Sequence, residues 1–114
     1  MTIEHIDPQD RWSEAVIYNK TIYYTAVPEN LDGDITEQTA NTLTAIDIML
    51  QRLGSDKSKI IDATIFLADG KEFAGMNAAW DAWVVAGRAP VRCTVEAKLM
   101  NPKYKVEIKV IAGI

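Results

Sequence analysis

The chain is poor in histidine and cysteine, two side chains that often carry nucleophilic or metal chemistry. His5 is its only histidine and Cys93 its only cysteine. A Ser-His-Asp or Cys-His arrangement would need His5, but the apolar–polar alternation over residues 3–6 indicates a solvated strand residue. Zinc sites need several clustered His and Cys ligands, so we expect no metal site. A single cysteine cannot form an intrachain disulfide, which fits a reducing compartment.

The remaining candidates for chemistry lie in two late segments where apolar and polar residues alternate. Such alternation is typical of β-strands, whose successive side chains point to opposite faces. In the first segment the apolar set is Val91, Cys93, Val95, Ala97 and Leu99, and the polar set is Arg92, Thr94, Glu96 and Lys98. In the second, Tyr104, Val106, Ile108 and Val110 alternate with Lys105, Glu107 and Lys109. We expect the charged sets to gather on one face of a sheet, and Cys93 to lie in the core rather than act as a reactive thiol.

The elements that must position these residues begin with three predicted strands. A short strand over residues 2–6 precedes strands over 14–19 and 21–27, and the polar Asn19-Lys20 between the last two predicts a hairpin turn. Asp34 followed by Glu37 then resembles a capping box, so a helix of about 18 residues should follow and end at Gly54. Its apolar stripe is predicted to contain Ile35, Leu43, Ile46, Leu50 and Leu53, with Thr39 between them.

A second strand and helix follow in the same order. Residues 59–67 predict a strong strand, and Asp69 with Glu72 repeats the capping pattern before a helix that ends near Gly87. The predicted buried face of this helix consists of Phe73, Met76, Trp80 and Val84.

Strands over residues 91–99 and 104–112 complete the predicted elements. The short turn between them, residues 100–103, predicts that they pair as a hairpin. The whole order indicates an α+β fold with a mixed sheet and two helices packed on one face. The other face must meet water or another subunit. A length of 114 residues suits a single domain, residues 1–114.

Composition and charge exclude several classes of partner. The net charge of −4 and pI near 4.9 argue against nucleic acid, whose binders collect Lys and Arg on one face. No apolar run approaches the length of a membrane span, and residues 1–10 carry charge where a signal peptide is apolar. We therefore expect no membrane association and a cytoplasmic location.

Several motifs occur along the chain in a characteristic order and spacing. They are Trp12-Ser-Glu-Ala-Val16, Ile22-Tyr-Tyr-Thr-Ala26, Glu37-Gln-Thr39, Asp62-Ala-Thr-Ile-Phe66 with Met76-Asn77, Ala89-Pro-Val-Arg-Cys-Thr-Val-Glu96, and Lys105-Val-Glu107-Ile. Together they resemble the reactive intermediate (imine) deaminase family, also called the YjgF-type or RutC-like family. The resemblance extends over essentially the whole chain.

This resemblance implies a chorismate-mutase-like fold, a homotrimer, and clefts between subunits that bind small carboxylate-bearing metabolites. Family members hydrolyse 2-imino acids and their enamine tautomers, such as 2-aminoacrylate, to 2-oxo acids and ammonium, and they need no cofactor. A non-catalytic trimer that binds a small carboxylate metabolite as a sensor is the alternative. Some relatives have been credited with ribonuclease activity, which the acidic charge of this chain disfavours.

The resemblance also implies roles for individual residues. Arg92 matches the family arginine, whose planar guanidinium can hold a carboxylate by two parallel hydrogen bonds. A structural salt bridge from Arg92 to Glu96 or Glu107 is the alternative. Glu107 matches the family acid, which could orient or deprotonate water, although an exposed strand glutamate is often only a surface residue. Asn77 matches the family asparagine or is simply a satisfied buried amide.

Other positions depart from the family pattern. Thr94 lies where cysteine is common, at a position thought to hold ligand through its backbone. Trp12 replaces a tyrosine, Thr25 replaces a serine, and Ala26 with Val27 replaces a Gly-Gln pair, so the pocket entrance should differ. Trp12 either narrows the acyl end of the pocket, which would favour three- and four-carbon imines, or anchors the N-terminal segment on the core.

The predicted hairpin would separate the two candidate catalytic residues. Arg92 would then face the region of Ile111, about 13 Å along the strand from Glu107 at roughly 3.3 Å per residue. One small substrate could hardly touch both side chains. We therefore expect Glu107 either to act through water or to come from the adjacent subunit.

Overall fold

The computed structural model describes residues 2–114, which form a mixed sheet of six strands and two α-helices. The strands are β1 (Glu4–Pro8), β2 (Ser13–Tyr18), β3 (Thr21–Ala26), β4 (Ile60–Leu67), β5 (Val91–Glu96) and β6 (Val106–Gly113). The helices are α1 (Ile35–Arg52) and α2 (Phe73–Trp83), with short 3₁₀ turns at Lys57–Lys59 and Gly70–Glu72. The predicted α+β fold is therefore confirmed.

The sheet order is β1-β2-β3-β6-β4-β5, and only the β4–β5 pair is parallel. The predicted hairpin between the last two strands is therefore wrong. α2 carries the chain back so that β5 lies parallel to one side of β4, and the segment after β5 then crosses the end of β4. Hydrogen bonds from Ala97 N to Leu67 O and from Ala68 N to Lys105 O, both 3.0 Å, hold this crossing.

Local sequence signals explain the first hairpin and the first helix. Asn19 and Lys20, with φ of 54° and 57°, form the tight turn between β2 and β3. Both halves of the capping box at Asp34 and Glu37 are present. Gly54, with a φ of 82°, follows the end of the helix in a left-handed conformation that glycine adopts without strain.

The second helix departs from the prediction at both ends. The Asp69 side chain caps the short 3₁₀ turn by accepting from Lys71 N, and α2 begins after that turn without a side-chain cap. The helix ends at Trp83 rather than near Gly87, because Val84 is already extended. Phe73 was predicted to be buried but is 45% exposed.

The core lies between the two helices and one face of the sheet. Its largest fully buried side chains include Ile22, Leu43, Ile46, Leu50, Ile65, Leu67, Met76 and Ile108. We call this side of the sheet the helix face and the other side the open face. The predicted apolar stripe of α1 is buried as expected, with Leu53 partly buried at its end.

The two faces of β5 are opposite to the prediction. Arg92 lies opposite Ala63 and Thr94 opposite Ile65, and both partners are fully buried under the helices. Arg92 and Thr94 therefore point to the helix face. Cys93 points to the open face, where it is exposed, and is not a core residue. As the edge strand, β5 can present polar side chains to a helix face that is still close to solvent.

No helix among residues 2–114 is long and apolar enough to cross a membrane. Within the same residues, no three His, Cys, Asp or Glu side chains come together as metal ligands. His5 is exposed in β1.

Candidate functional site

The guanidinium of Arg92 is held between aromatic rings of α2. Its Cζ lies 5.2 Å from the centre of the Trp80 ring and 5.9 Å from that of Phe73. Its Nη1 donates a 2.8 Å hydrogen bond to Oδ1 of Asn77. Because the aromatic contacts and the amide fix the group on several sides, Arg92 presents its remaining N–H donors in a defined direction.

Arg92 has no carboxylate partner in the described part of the chain. The only ion pair among residues 2–114 joins Arg52 to Asp7, so the predicted alternative of a salt bridge to Glu96 or Glu107 is wrong within this chain. Glu96 instead accepts a 2.6 Å hydrogen bond from Gly70 N. A half-buried, unpaired guanidinium is suited to binding an anion, because its charge is not yet neutralised.

Asn77 and Thr94 lie beside Arg92 on the helix face. Asn77 uses its amide oxygen to orient Arg92, so it supports the guanidinium and is not an isolated buried amide. The Thr94 hydroxyl is buried without a hydrogen-bond partner among residues 2–114. As β5 is an edge strand, one side of its backbone is also free of any strand partner. We call Arg92, Asn77 and Thr94 the arginine group.

Glu107 lies elsewhere, in a cleft of about 500 Å³ on the other side of the sheet. The cleft is lined by Trp12, Ser13, Glu14, Tyr23, Tyr24, Thr25, Val27, Glu107 and Lys109. Three of the predicted site residues, Trp12, Thr25 and Glu107, thus come together here. Ala26 does not line the cleft, because it points to the helix face and is 1% exposed.

The exposure of Trp12 argues against one of its two predicted roles. The residue is 61% exposed in the turn before β2, so it is not an anchor packed into the core. It lies at the rim, where it also borders a second shallow cleft formed with residues 8–11. Trp12 also lines the main cleft, and its narrowing of the acyl end of the pocket stays a prediction.

Arg92 and Glu107 are too far apart to meet on one small molecule within one chain. Arg92 is opposite Ala63 and Glu107 is opposite Phe66 on the same strand, β4. The offset is three residues along β4 and two strand spacings across it, which gives about 14 Å between the two Cα atoms. Their side chains also point to opposite faces, because Ala63 is fully buried under the helices and Phe66 lies three residues further on.

Several residues of these two groups were not predicted from the sequence to belong to a site. Trp80 was interpreted only as core, although its ring also packs against the guanidinium of Arg92. Glu14, Tyr23 and Lys109 were assigned only to strands, and their meeting in the cleft depends on β3 lying between β2 and β6. Burial, and then the negative charges of Glu14 and Glu29, raise the pKa of the Tyr24 phenol.

Comparisons with known proteins agree with the motifs. Residues 2–114 match the family model described as Endoribonuclease L-PSP. The chain is 68% identical over 114 residues to the RutC family protein YoaB of Escherichia coli K12, covering 100% of both chains. It is 27% identical over 108 residues to a 2-iminobutanoate/2-iminopropanoate deaminase of Capra hircus, covering 89% of this chain and 78% of that one.

The fold of the chain is also shared with a solved structure. A crystal structure of a YjgF family member from Neisseria meningitidis superposes with a TM-score of 0.94 at 47% identity, covering 99% of this chain and 95% of that one. Sequence and structure therefore confirm the resemblance seen in the motifs, and the chain belongs to the YjgF/RutC family.

Proposed function

We propose that the protein is a cofactor-independent deaminase that hydrolyses 2-imino acids and their enamine tautomers to 2-oxo acids and ammonium in the cytoplasm. The observation that carries the proposal is Arg92. Its guanidinium is stacked on Trp80, bonded to Asn77 and free of any carboxylate among residues 2–114. Such a group is positioned to bind the planar carboxylate that every 2-imino acid carries. The Capra hircus relative named for this activity supports the same reading.

Glu107 supplies the acid–base function in this proposal. Its carboxylate takes a proton from water while the water oxygen bonds to C2 and the C=N electron pair moves to nitrogen. Glu107 then returns the proton to nitrogen, which gives a carbinolamine. The same carboxylate next takes the proton of the carbinolamine hydroxyl and passes it to nitrogen, so that the C–N bond breaks as C=O forms and ammonia leaves. The barrier is modest because imines already hydrolyse in water, so holding the carboxylate and positioning water is enough.

The proposed site lies between the subunits of a homotrimer, the assembly that the family resemblance implies. Because Arg92 and Glu107 lie about 14 Å apart on opposite faces of one sheet, a small substrate meets both only if they come from different chains. The open face bears Val91 and Val95, both exposed within one chain, and burial of such side chains favours association. In the assembled trimer, the arginine group of one subunit and the cleft of its neighbour form one site.

Mixed trimers test this arrangement directly. Arg92→Ala and Glu107→Gln chains are each expected to form inactive homotrimers. Trimers mixed from the two chains should regain part of the activity, because one interface then contains both intact residues. Semicarbazide traps the imine that the protein has not hydrolysed. Imine turnover is therefore measured as a decrease in the trapped product. No recovery in mixed trimers would contradict sites shared between subunits, and a mass of one or two chains by light scattering would contradict the trimer.

A non-catalytic binder or sensor of small carboxylate metabolites is the second candidate. The departures from the family pattern at Trp12, Thr25 and Ala26 favour it, since they change the cleft and its surroundings and leave Arg92 intact. Both candidates predict that 2-oxo acids bind at Arg92. Only the first predicts that the purified protein hydrolyses a freshly generated imine faster than buffer does.

A further inference from the structure

The cleft contains more charge than imine hydrolysis requires. Besides Glu107 it is lined by Glu14 and Lys109, and both glutamates are half-buried. Neither carboxylate is within ion-pair distance of a basic side chain in the described part of the chain. Partial burial of an unpaired charge is unfavourable, so these carboxylates favour a cation that enters the cleft.

The strand register gives the spacing of the two carboxylates. Ala15 lies opposite Tyr24 on β3, and Thr25 lies opposite Lys109 on β6. Glu14 is therefore two strands away from Lys109, and Glu107 is two residues further along β6. The corresponding distance between the Cα atoms of Glu14 and Glu107 is about 12 Å. With each side chain reaching into the cleft, the gap between the carboxylates suits an extended substrate side chain.

The sign of the local field is negative. Within one chain, two carboxylates line the cleft against a single ammonium, and Lys109 is exposed whereas both glutamates are half-buried. In the proposed trimer the guanidinium of Arg92 from the neighbouring subunit also meets the cleft, where the carboxylate of the substrate neutralises its charge. The pKa of the Tyr24 phenol is raised first by burial and then by the negative charge of Glu14. The rings of Trp12 and Tyr23, 61% and 40% exposed, are also open to a cation, which aromatic faces attract.

We propose that the carboxylate of Glu14 selects substrates whose side chain ends in an ammonium or guanidinium group. The preferred class is then the 2-imino acids formed by oxidation of basic amino acids. This inference rests on the proposed function of the same cleft. C2 of the substrate lies near Glu107, and its cationic end lies towards Glu14 between the aromatic rings. Glu14 is a specificity residue and takes no part in proton transfer.

Arginine and citrulline provide a matched pair of substrates, since they have the same length and differ in a charged guanidinium against a neutral urea group. An amino acid oxidase with catalase generates each imine, and trapping by semicarbazide measures what escapes hydrolysis. We expect a higher kcat/KM for the arginine imine, with the difference mainly in KM. Glu14→Gln should reduce this preference roughly three- to tenfold, and Lys109→Gln should increase it. Asp32→Asn, an equal loss of charge outside the cleft, should leave it unchanged.

Equal turnover of the two imines by the unmodified protein, or an unchanged ratio in Glu14→Gln, would overturn the role of Glu14. Failure to hydrolyse either imine faster than buffer would instead contradict the proposed function. In that case, calorimetry measures how tightly the protein binds the stable 2-oxo acids made from arginine and citrulline, and the comparison tests the charge preference. Tighter binding of the guanidino compound that is lost in Glu14→Gln supports the inference, and equal binding refutes it.

Discussion

Replacing Arg92 by lysine separates the charge of the group from its geometry. Lysine keeps one positive charge but cannot form two parallel hydrogen bonds to a carboxylate, and it lacks the planar, delocalised cation that Arg92 places over the rings of Trp80 and Phe73. A hydrogen bond to a charged group contributes about 1.5 to 3 kcal/mol, so the loss of one costs about 2 kcal/mol. That corresponds to roughly thirtyfold weaker binding of a 2-oxo acid.

Isothermal calorimetry with 2-oxobutanoate measures this loss in the absence of turnover. Arg88→Lys is the matched control, because Arg88 is exposed and lies four residues before Arg92. We expect the affinity of this variant for 2-oxobutanoate to be unchanged. Both variants should keep the circular dichroism spectrum of the unmodified protein. A dissociation constant for Arg92→Lys within twofold of the unmodified protein would refute the assignment of Arg92 to the carboxylate. Equal losses in both variants would indicate a nonspecific effect of charge.

Three further predictions concern stability. Trp83→Phe removes the 2.9 Å hydrogen bond from Trp83 Nε1 to Asp47, and urea unfolding should show a loss of about 1 kcal/mol; an unchanged midpoint would contradict it. Trp12→Tyr should change stability by less than about 0.5 kcal/mol because Trp12 is 61% exposed, whereas a clear fall in Tm would restore its role as an anchor. The bidentate contact with Arg52 lowers the pKa of Asp7, so its stabilisation is present above the ordinary carboxyl pKa and lost as pH falls through the lowered value. Arg52→Gln should therefore be less stable than the unmodified protein near neutral pH and equal to it in strong acid, and a difference that persisted in acid would refute this linkage.

The family resemblance and the arginine group were accessible from the sequence to different extents. The motif around Arg92 pointed to the correct family, and Asn77 was matched to the family asparagine. That Asn77 accepts directly from Arg92, and that Trp80 packs on the guanidinium, depends on the packing of α2 against the edge strand β5. Neither contact is implied by the spacing of these residues along the chain.

Local structure was determined by the sequence alone where the causes are local. The capping box at Asp34 and Glu37 begins α1, Gly54 follows its end, and Asn19 with Lys20 forms the first hairpin turn. Each of these depends on hydrogen bonds or backbone conformations within a few residues. Such interactions are the same whichever tertiary neighbours the segment acquires.

Only the tertiary structure decided which strands pair and which face of β5 is covered. Alternation shows that Arg92 and Cys93 point to opposite faces, but it is symmetrical and does not identify the face that meets α2. The short connection before β6 suggested a hairpin, whereas β5 and β6 lie on either side of β4. That arrangement arises from the non-local burial of Ala63 and Ile65 against the helices, and it places Arg92 and Glu107 on opposite faces of the sheet.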